Sequence, residues 1–284
     1  MVEKIEKMDI IIPTWNSMPE FEKCLESITK YIPEQYRGDI IVVDRYSTDG
    51  TIETAKKYGC KILYDDISLG SARMKGIKEA KTEWIIFIDS DIYITPEWFS
   101  TMMYYRPRLY RAGMFYGYTL SMHPKQKRLI EWKAKSGVGR TNFAKLKKGQ
   151  RGYTHNTFIL REILLDLDIS DINAWEDWVI TQHIINKGYN VYRLPIYVNH
   201  DDWHHLNPDG SFKTAWNGAG IRKVASKYGF NFEMFAFLNF YLITGVRATI
   251  ALKDLWYLKS HIKQWFEAWK GFLGIRRNFA RVKS

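Results

Sequence analysis

Four short apolar runs in the first ninety residues constrain the fold of this chain more than any other feature. The runs are Asp9–Ile12, Ile40–Val43, Lys61–Tyr64 and Trp84–Ile88, and segments with a helical repeat of apolar residues separate them. Strands that are apolar on both sides and alternate with helices belong to a parallel sheet that is covered on both faces. The sequence therefore predicts an α/β fold, an open sandwich with a mostly parallel central sheet.

Helical periodicity and cap residues locate the segments between the strands. Apolar residues recur every three or four positions from Pro19 to Ile32, which is the pattern of one helix face. Ser71 is predicted to cap a helix that runs to about Lys81, and Thr95 to cap a helix whose first residue is Pro96. Further predictions are helices over 51–58 and 176–186, and strands over 114–120, 156–160 and 189–194.

Polar residues stand at the ends of three predicted strands. They are Thr14 after the first strand, Asp44 after the second, and Asp89-Ser90-Asp91 after the fourth. In open α/β sheets, ligands bind beyond the carboxyl ends of the strands, so we expect a binding site here. Asp89 and Asp91 can face one divalent cation, which prefers oxygen ligands. The alternative interpretation of this Asp-x-Asp pattern is a polar turn without a metal.

The net charge of +11 is concentrated in two segments of the chain. Residues 123–151 hold ten Lys and Arg and one acid, and residues 253–284 hold eight Lys and Arg and two acids. The remainder of the chain is therefore mildly acidic. Basic segments of this kind could bind nucleic acid, but neither contains a recognition motif. We therefore predict no nucleic-acid partner and keep a nucleic-acid-binding protein as an alternative.

The cysteines and the N-terminal residues bear on the cellular compartment. Cys24 and Cys60 have no partner motif, which excludes a Cys-x-x-Cys zinc or redox site. Three acids precede a short apolar run at the N-terminus, so these residues lack the apolar region of a signal peptide. A reducing, cytoplasmic setting is expected.

Several motifs in a fixed order give the chain a resemblance to a known enzyme family. They are Ile-Ile-Pro-Thr-Trp-Asn (11–16), Val-Val-Asp (42–44) with Ser-Thr-Asp-Gly-Thr (47–51), Gly-Ser-Ala-Arg (70–73), Phe-Ile-Asp-Ser-Asp (87–91) and Glu-Asp-Trp (176–178). Over roughly residues 8–200 the chain resembles a family 2 glycosyltransferase. The resemblance implies the GT-A fold, a nucleotide-sugar-binding sandwich. It also implies transfer of a sugar from a GDP- or UDP-linked donor with Mg²⁺ or Mn²⁺ as the cofactor.

The resemblance assigns the donor-binding residues. It places Asp44 on the base or ribose and Arg73 near the nucleotide or its pyrophosphate. The remaining donor-binding residues that it implies are Pro13, Thr14 and Asn16 against the nucleoside, and Asp89 near the ribose or donor sugar. Arg45 and Tyr46 stand where the family usually has a second acid and a glycine. This departure leaves the identity of the base open.

The metal ligands follow from the same resemblance. Asp91 is implied as the main ligand, with Asp89 beside it. A histidine after the last core strand completes the site in many relatives, and His200 is nearest the predicted strand end. His204 and His205 are the other candidates, and an ordinary surface role for all three histidines is the alternative.

Glu176 and Asp177 begin a predicted helix and have two interpretations. Acids at a helix N-terminus are favoured by the helix dipole, which requires no further function. A carboxylate can also act as the general base that removes the proton of an attacking hydroxyl. The resemblance implies that Asp177 is this base and that Glu176 binds or orients the acceptor. One base opposite the leaving group implies a single displacement with inversion.

The C-terminal region resembles a membrane-associated segment. Residues 234–252 form an apolar stretch that can span a bilayer or lie in its interface. From Leu255 a second stripe follows, formed by Leu255, Leu258, Ile262, Trp265, Phe266, Trp269, Phe272 and Leu273. We predict a GT-A catalytic domain over 1–228 and a helical membrane-associating segment over 229–284. The expected acceptor is a lipid or a lipid-linked molecule at the cytoplasmic face of the cell membrane, and the alternative is helices packed on the catalytic domain.

A nucleotidyltransferase on a similar sheet is the second alternative function. Such an enzyme would carry a glycine-rich phosphate loop after the first strand. The chain instead has Pro13, Thr14, Trp15 and Asn16 at this position. The sequence therefore favours glycosyl transfer.

Overall fold

A computed structural model of the chain describes residues 6–135, 142–201 and 211–275. The contacts divide the chain into two compact units. The sheet unit comprises residues 1–122, 140–171 and 176–201, and the helical unit comprises residues 123–139, 172–175 and 202–284. The predicted domain boundary at residue 228 stays a prediction.

The sheet unit is built on one mixed sheet. Its strands are β1 (Met8–Thr14), β2 (Arg37–Asp44), β3 (Lys61–Tyr64), β4 (Trp84–Ile88), β5 (Ile92–Tyr93), β6 (Ala112–Ser121), β7 (Ala144–Lys145), β8 (Asn156–Leu160) and β9 (Asn190–His200). Its helices are α1 (Glu20–Tyr31), α2 (Thr51–Lys57), α3 (Leu69–Glu79), α4 (Pro96–Tyr105) and α6 (Glu176–Asn186), with short 3-10 turns at Glu34–Tyr36, Arg106–Arg108 and Arg161–Leu164.

The strand order is β3-β2-β1-β4-β8-β6-β9-β5, and β7 also pairs with β9. Parallel pairs join β1 to β2 and β4, β2 to β3, and β6 to β9. Strand β8 runs antiparallel to β4 and β6. Strand β4 is buried along its whole length, as its uninterrupted apolar sequence requires. The predicted α/β sandwich with a mostly parallel sheet is confirmed.

Three local predictions differ from the structure. Thr95 directly precedes α4, but its hydroxyl donates to the Tyr197 carbonyl at 3.3 Å and makes no capping hydrogen bond. Ser71 does not cap α3, because the helix begins at Leu69 and the Ser68 hydroxyl accepts the hydrogen bond from the Ser71 N–H. Strand β9 continues to His200 instead of ending near residue 194, because it stays paired with β6 as far as Ser121. This extension places His200 at a strand end.

The helical unit contains α5 (Pro124–Lys135), α7 (Ser211–Tyr228), α8 (Phe232–Leu252) and α9 (Leu255–Leu273). Asn231 caps α8 and Asp254 caps α9, each by accepting a hydrogen bond from a backbone N–H of the first turn. Among the described residues, α8 alone is long and apolar enough to cross a bilayer, with 21 residues and a mean hydropathy of 1.5.

A buried carboxylate joins three segments at the start of the sheet. Asp9 accepts hydrogen bonds from the backbone N–H groups of Asp39 (2.8 Å), Lys81 (2.7 Å) and Thr82 (3.3 Å). These groups belong to β2 and to the turn between α3 and β4. Asp9 therefore supplies the acceptor that three main-chain donors need once β1, β2 and β4 lie side by side.

We expect Asp9→Ala to lower the free energy of unfolding by about 3 kcal/mol, because the substitution leaves these donors without an acceptor. Urea denaturation followed by tryptophan fluorescence measures the change. Asp66→Ala is the control, since Asp66 is exposed, and it should change stability by less than about 0.5 kcal/mol. Equal stability of the two variants would contradict the role of Asp9.

Candidate active site

The ends of β1 and β2 are held together by one carboxylate. Thr14 and Asp44 are register partners at the ends of these parallel strands. The Thr14 hydroxyl donates to Asp44 Oδ2 at 2.6 Å, and Ser47 donates to the same carboxylate through its N–H (2.7 Å) and its hydroxyl (2.6 Å). Asp44 is 0% exposed. The structure thus brings Thr14 and Asp44 together, with Asp44 organising the two strand-end loops.

Asn16 closes the loop that follows β1. Its backbone N–H donates to Ser47 Oγ at 2.6 Å, and its side-chain oxygen accepts from the Thr48 N–H at 2.9 Å. The φ angle of Asn16 is 47°, in the left-handed region that asparagine tolerates better than most residues. Pro13 lies in β1 opposite Val43 and is partly buried. Pro13 and Asn16, two of the three predicted nucleoside contacts, therefore lie next to Val43 and Ser47, the neighbour and the hydrogen-bond partner of Asp44.

Arg45 and Tyr46, which stand where the family usually has an acid and a glycine, each contact an aromatic ring. The Arg45 guanidinium lies 4.8 Å from the ring centroid of Trp15. Tyr46 stacks on Tyr64, with ring centroids 5.1 Å apart and an interplanar angle of 17°. Neither Trp15 nor Tyr64 was predicted as a site residue, although both are aromatic residues at the ends of predicted strands.

Arg73 connects the end of β4 with the start of α6. Its Nη2 donates to Asp89 Oδ1 at 2.9 Å, and its Nε donates to Glu176 Oε1 at 3.2 Å. The arginine is 1% exposed, and its Nη1 is buried without a hydrogen-bond partner in the described part of the chain. Burial acts to lower the pKa of Arg73, but Asp89 and Glu176 raise it above its ordinary value. The guanidinium therefore keeps its charge and has one N–H group available for an anion.

Glu176 and Asp177 are both buried at the start of α6. Burial, together with the neighbouring Asp177 carboxylate, raises the pKa of Glu176 to about 7, against the lowering influence of Arg73 and Arg151. Adjacent carboxylates in a poorly solvated position resist double ionisation, which explains the direction. The two predicted acceptor-side residues are therefore both buried, and each pairs with a different arginine.

Arg151 is a partner of Asp177 and was not among the predicted site residues. Arg151 Nε donates to Asp177 Oδ1 at 2.8 Å, and the Trp178 N–H donates to the same oxygen at 2.8 Å. No donor in the described part of the chain bonds to Oδ2. One oxygen of Asp177 is therefore fixed by two donors, and the other is available to a substrate hydroxyl. Arg151 ends the first basic segment, and this position was its only sequence signal.

Two of the three predicted metal ligands are adjacent. Asp91 Oδ2 lies 3.3 Å from His200 Nε2, while Asp89 pairs with Arg73. No group of three or more His, Cys, Asp and Glu side chains spaced for one ion occurs within 6–135, 142–201 and 211–275. His204 and His205 lie outside the described residues. A carboxylate oxygen beside an imidazole nitrogen fits Mn²⁺ or Mg²⁺ when a diphosphate supplies further oxygen ligands.

Comparison with known proteins shows the family to which this chain belongs. The family model described as Glycosyl transferase family 2 matches residues 9–167, more than half of the chain. One relative is the poly(ribitol-phosphate) beta-N-acetylglucosaminyltransferase TarS of Staphylococcus aureus, 33% identical over 98 residues. That match covers 32% of this chain and 17% of the relative. The chain therefore spans a minor part of such relatives.

A longer match and a solved structure extend the comparison. The cholesterol galactosyltransferase of Borreliella burgdorferi is 26% identical over 210 residues, which cover 65% of this chain and 57% of that protein. The mannosyltransferase PcManGT of Pyrobaculum calidifontis, solved with GDP-Man and Mn²⁺, has a TM-score of 0.66 and 14% identity. The match covers 95% of this chain and 88% of that structure, and it shows the shared fold. The chain belongs to glycosyltransferase family 2 and has the GT-A fold.

Proposed function

We propose that this glycosyltransferase moves a sugar from a GDP- or UDP-linked donor to a lipid or lipid-linked acceptor, with inversion and with a divalent metal. The observation that carries the proposal is the buried chain Asp89–Arg73–Glu176, which joins the strand end after β4 to the acids of α6. Arg73 bonds both a predicted donor-side acid and a predicted acceptor-side acid, and this bridge supports a single site for both substrates.

The donor side is proposed to surround the diphosphate. Arg73 supplies a buried N–H group for a phosphate oxygen, and Asp91 with His200 would hold Mg²⁺ or Mn²⁺. A divalent ion bound there neutralises charge on the departing diphosphate, so that the leaving group needs no proton. Thr14, Asn16 and the loops fixed by Asp44 are proposed to receive the nucleoside. PcManGT, which has the same fold, was solved with GDP-Man and Mn²⁺, and this likeness supports the proposed classes of donor and metal.

The acceptor side is proposed to centre on Asp177. Its free Oδ2 accepts the proton of the attacking hydroxyl while Arg151 and the Trp178 N–H hold Oδ1. Glu176 is then the residue that orients the acceptor next to Arg73. A base that acts from the side opposite the leaving group produces inversion at the anomeric carbon.

The proposed acceptor class rests on the relatives and on the helical unit. One relative is named for cholesterol and another for poly(ribitol-phosphate), a polymer acceptor. Helix α8 is apolar and long enough to enter a bilayer. We therefore propose that the enzyme works at the cytoplasmic face of the cell membrane on a lipid or lipid-linked acceptor.

We expect Asp91→Asn to reduce metal-dependent transfer by about 100-fold or more, since the amide removes the charge that holds the ion. The variant should also lose the rise in melting temperature that Mn²⁺ with GDP or UDP causes in the wild type. Asp66→Asn, at an exposed position, should keep both properties. Unchanged metal dependence in Asp91→Asn would refute the metal assignment.

Asp177→Asn is expected to bind the donor normally and to transfer sugar about 1,000-fold more slowly or worse, because it lacks the proton acceptor. Calorimetric titration with the donor and product analysis separate binding from chemistry. Asp166→Asn is the matched control, since this exposed carboxylate contacts the side chains of Lys187 and His183 and not those of the proposed site. Transfer at the wild-type rate would remove Asp177 from the mechanism.

Arg151 is expected to act through Asp177. In Arg151→Met, Asp177 Oδ1 loses its cationic partner and one of its two donors, so kcat should fall by about tenfold or more while the donor KM changes little. Arg151→Lys keeps a positive charge and should recover part of the loss. A change in donor KM as large as the change in kcat, with no recovery in Arg151→Lys, would contradict a role through Asp177.

A further inference from the structure

Helices α8 and α9 expose many large apolar side chains and bury many small or polar ones, which is the reverse of the usual pattern in a water-soluble helix. The buried residues of α9 are mostly small or polar and include Ser260, His261, Gln264, Glu267 and Gly271. None of the eight apolar residues of its predicted stripe is buried. In a water-soluble helical bundle the apolar stripe faces the core. Helix α9 instead leaves every residue of this stripe partly or fully exposed, with Leu255, Phe266 and Leu273 the most exposed.

Helix α8 shows the same inversion more strongly. One side of the helix carries six exposed apolar side chains at helical spacing, which we call the α8 stripe: Phe232, Phe235, Leu242, Ile243, Val246 and Ile250. Phe232 is 81% exposed and Ile250 is 73% exposed. Only 22% of the most apolar window of this helix is buried. Contiguous exposed apolar surface of this kind marks a binding surface.

The contacts between the helices explain how they pack without these side chains. A Cβ atom on Gly218 of α7 would lie 1.9 Å from the Ala268 carbonyl oxygen of α9, and one on Gly271 would lie 2.0 Å from the Ala215 carbonyl oxygen. Gly245 of α8 is similarly close to His261, at 2.6 Å from its Cβ. Close backbone approach through small residues is how helices associate when their large apolar residues face lipid.

The charge of the same unit indicates which surface it meets. Residues 211–275 contain nine Lys and Arg and three acids, and helix α5 contains five Lys and Arg and one acid. Among these acids, Asp254 pairs with Lys125, and Glu267 pairs with Lys270. Lys259 and Lys263 are exposed on α9 between the exposed apolar residues Leu255 and Phe266. Apolar side chains interspersed with cations match an anionic lipid surface.

Helix α5 is anchored to the junction of α8 and α9. The Arg128 guanidinium donates to the Leu252 carbonyl at 3.1 Å, and the Tyr257 hydroxyl donates to the Lys125 carbonyl at 3.0 Å. Leu129 packs in a small core with Ala248 and Tyr257. The cations of α5 are therefore held on the same body as the α8 stripe.

We propose that the α8 stripe and the exposed side of α9 form a docking surface for an anionic bilayer. The stripe enters the acyl boundary, and the lysines and arginines of the unit contact lipid phosphates. A second copy of this chain is a poorer occupant, because it would bring two positively charged surfaces together. The inference goes beyond sugar transfer, since membrane binding can occur whether or not the transfer chemistry is as proposed.

Vesicle flotation of the full chain tests the surface. Wild-type protein should float with phosphatidylcholine vesicles that contain phosphatidylglycerol, and Ile243→Glu combined with Val246→Glu should reduce the bound fraction by about tenfold or more. Both positions are exposed, so the variant should fold, as circular dichroism will show. Ile67→Glu in the sheet unit is the matched control, because it makes the same change at an exposed isoleucine.

A charge variant tests the electrostatic part. Lys253→Gln combined with Lys259→Gln should weaken binding to phosphatidylglycerol vesicles and leave the weaker binding to pure phosphatidylcholine unchanged. Wild-type protein that fails to float, or that floats equally with Ile243→Glu and Val246→Glu in place, would overturn the proposal. Sedimentation that instead shows a dimer abolished by the glutamates would assign the surface to self-association. Sugar transfer to a water-soluble acceptor should persist in both variants, which separates this test from that of the reaction.

Discussion

The buried guanidinium of Arg73 is the interaction on which the arrangement of the active site depends. A charged group taken out of water is costly unless anions compensate it, and here Asp89 and Glu176 do so. The arginine lies on α3, while its two partners lie at the end of β4 and at the start of α6. Correct pairing therefore requires these three elements to be in place at once. The same requirement holds the proposed donor-side acid, Asp89, and the proposed acceptor-side acid, Glu176, on one guanidinium.

Each of the two neighbouring acids at the start of α6 pairs with its own arginine. Glu176 shares Arg73 with Asp89, and Asp177 pairs with Arg151. Without these cations, adjacent buried carboxylates would repel each other and hold protons at neutral pH. The raised pKa of Glu176, about 7, shows that the compensation is incomplete on that side. Among the described residues, the donors to the Asp177 carboxylate bond Oδ1, an arrangement compatible with the general base proposed above.

The helical unit combines an excess of positive charge with exposed apolar side chains. Helices α8 and α9 bury many small and polar residues and leave several large apolar residues and lysines exposed. Such a unit exposes much apolar surface to water when no lipid is present, which is unfavourable. The basic character read from composition thus coincides with an exposed apolar surface, a combination that suits a lipid headgroup region better than nucleic acid.

The sequence by itself determined the long strands of the sheet, the positions of the carboxylates at their ends and the family. These features are local: apolar runs define strands, and the motifs lie within short segments such as 87–91. Only the tertiary structure decided that Arg73 meets Glu176, 103 positions away, and that Arg151 meets Asp177. It also decided which side of α9 is buried. Periodicity groups residues on one side of a helix, but the neighbouring elements determine which side is covered, and the sequence pattern carries no information on those contacts.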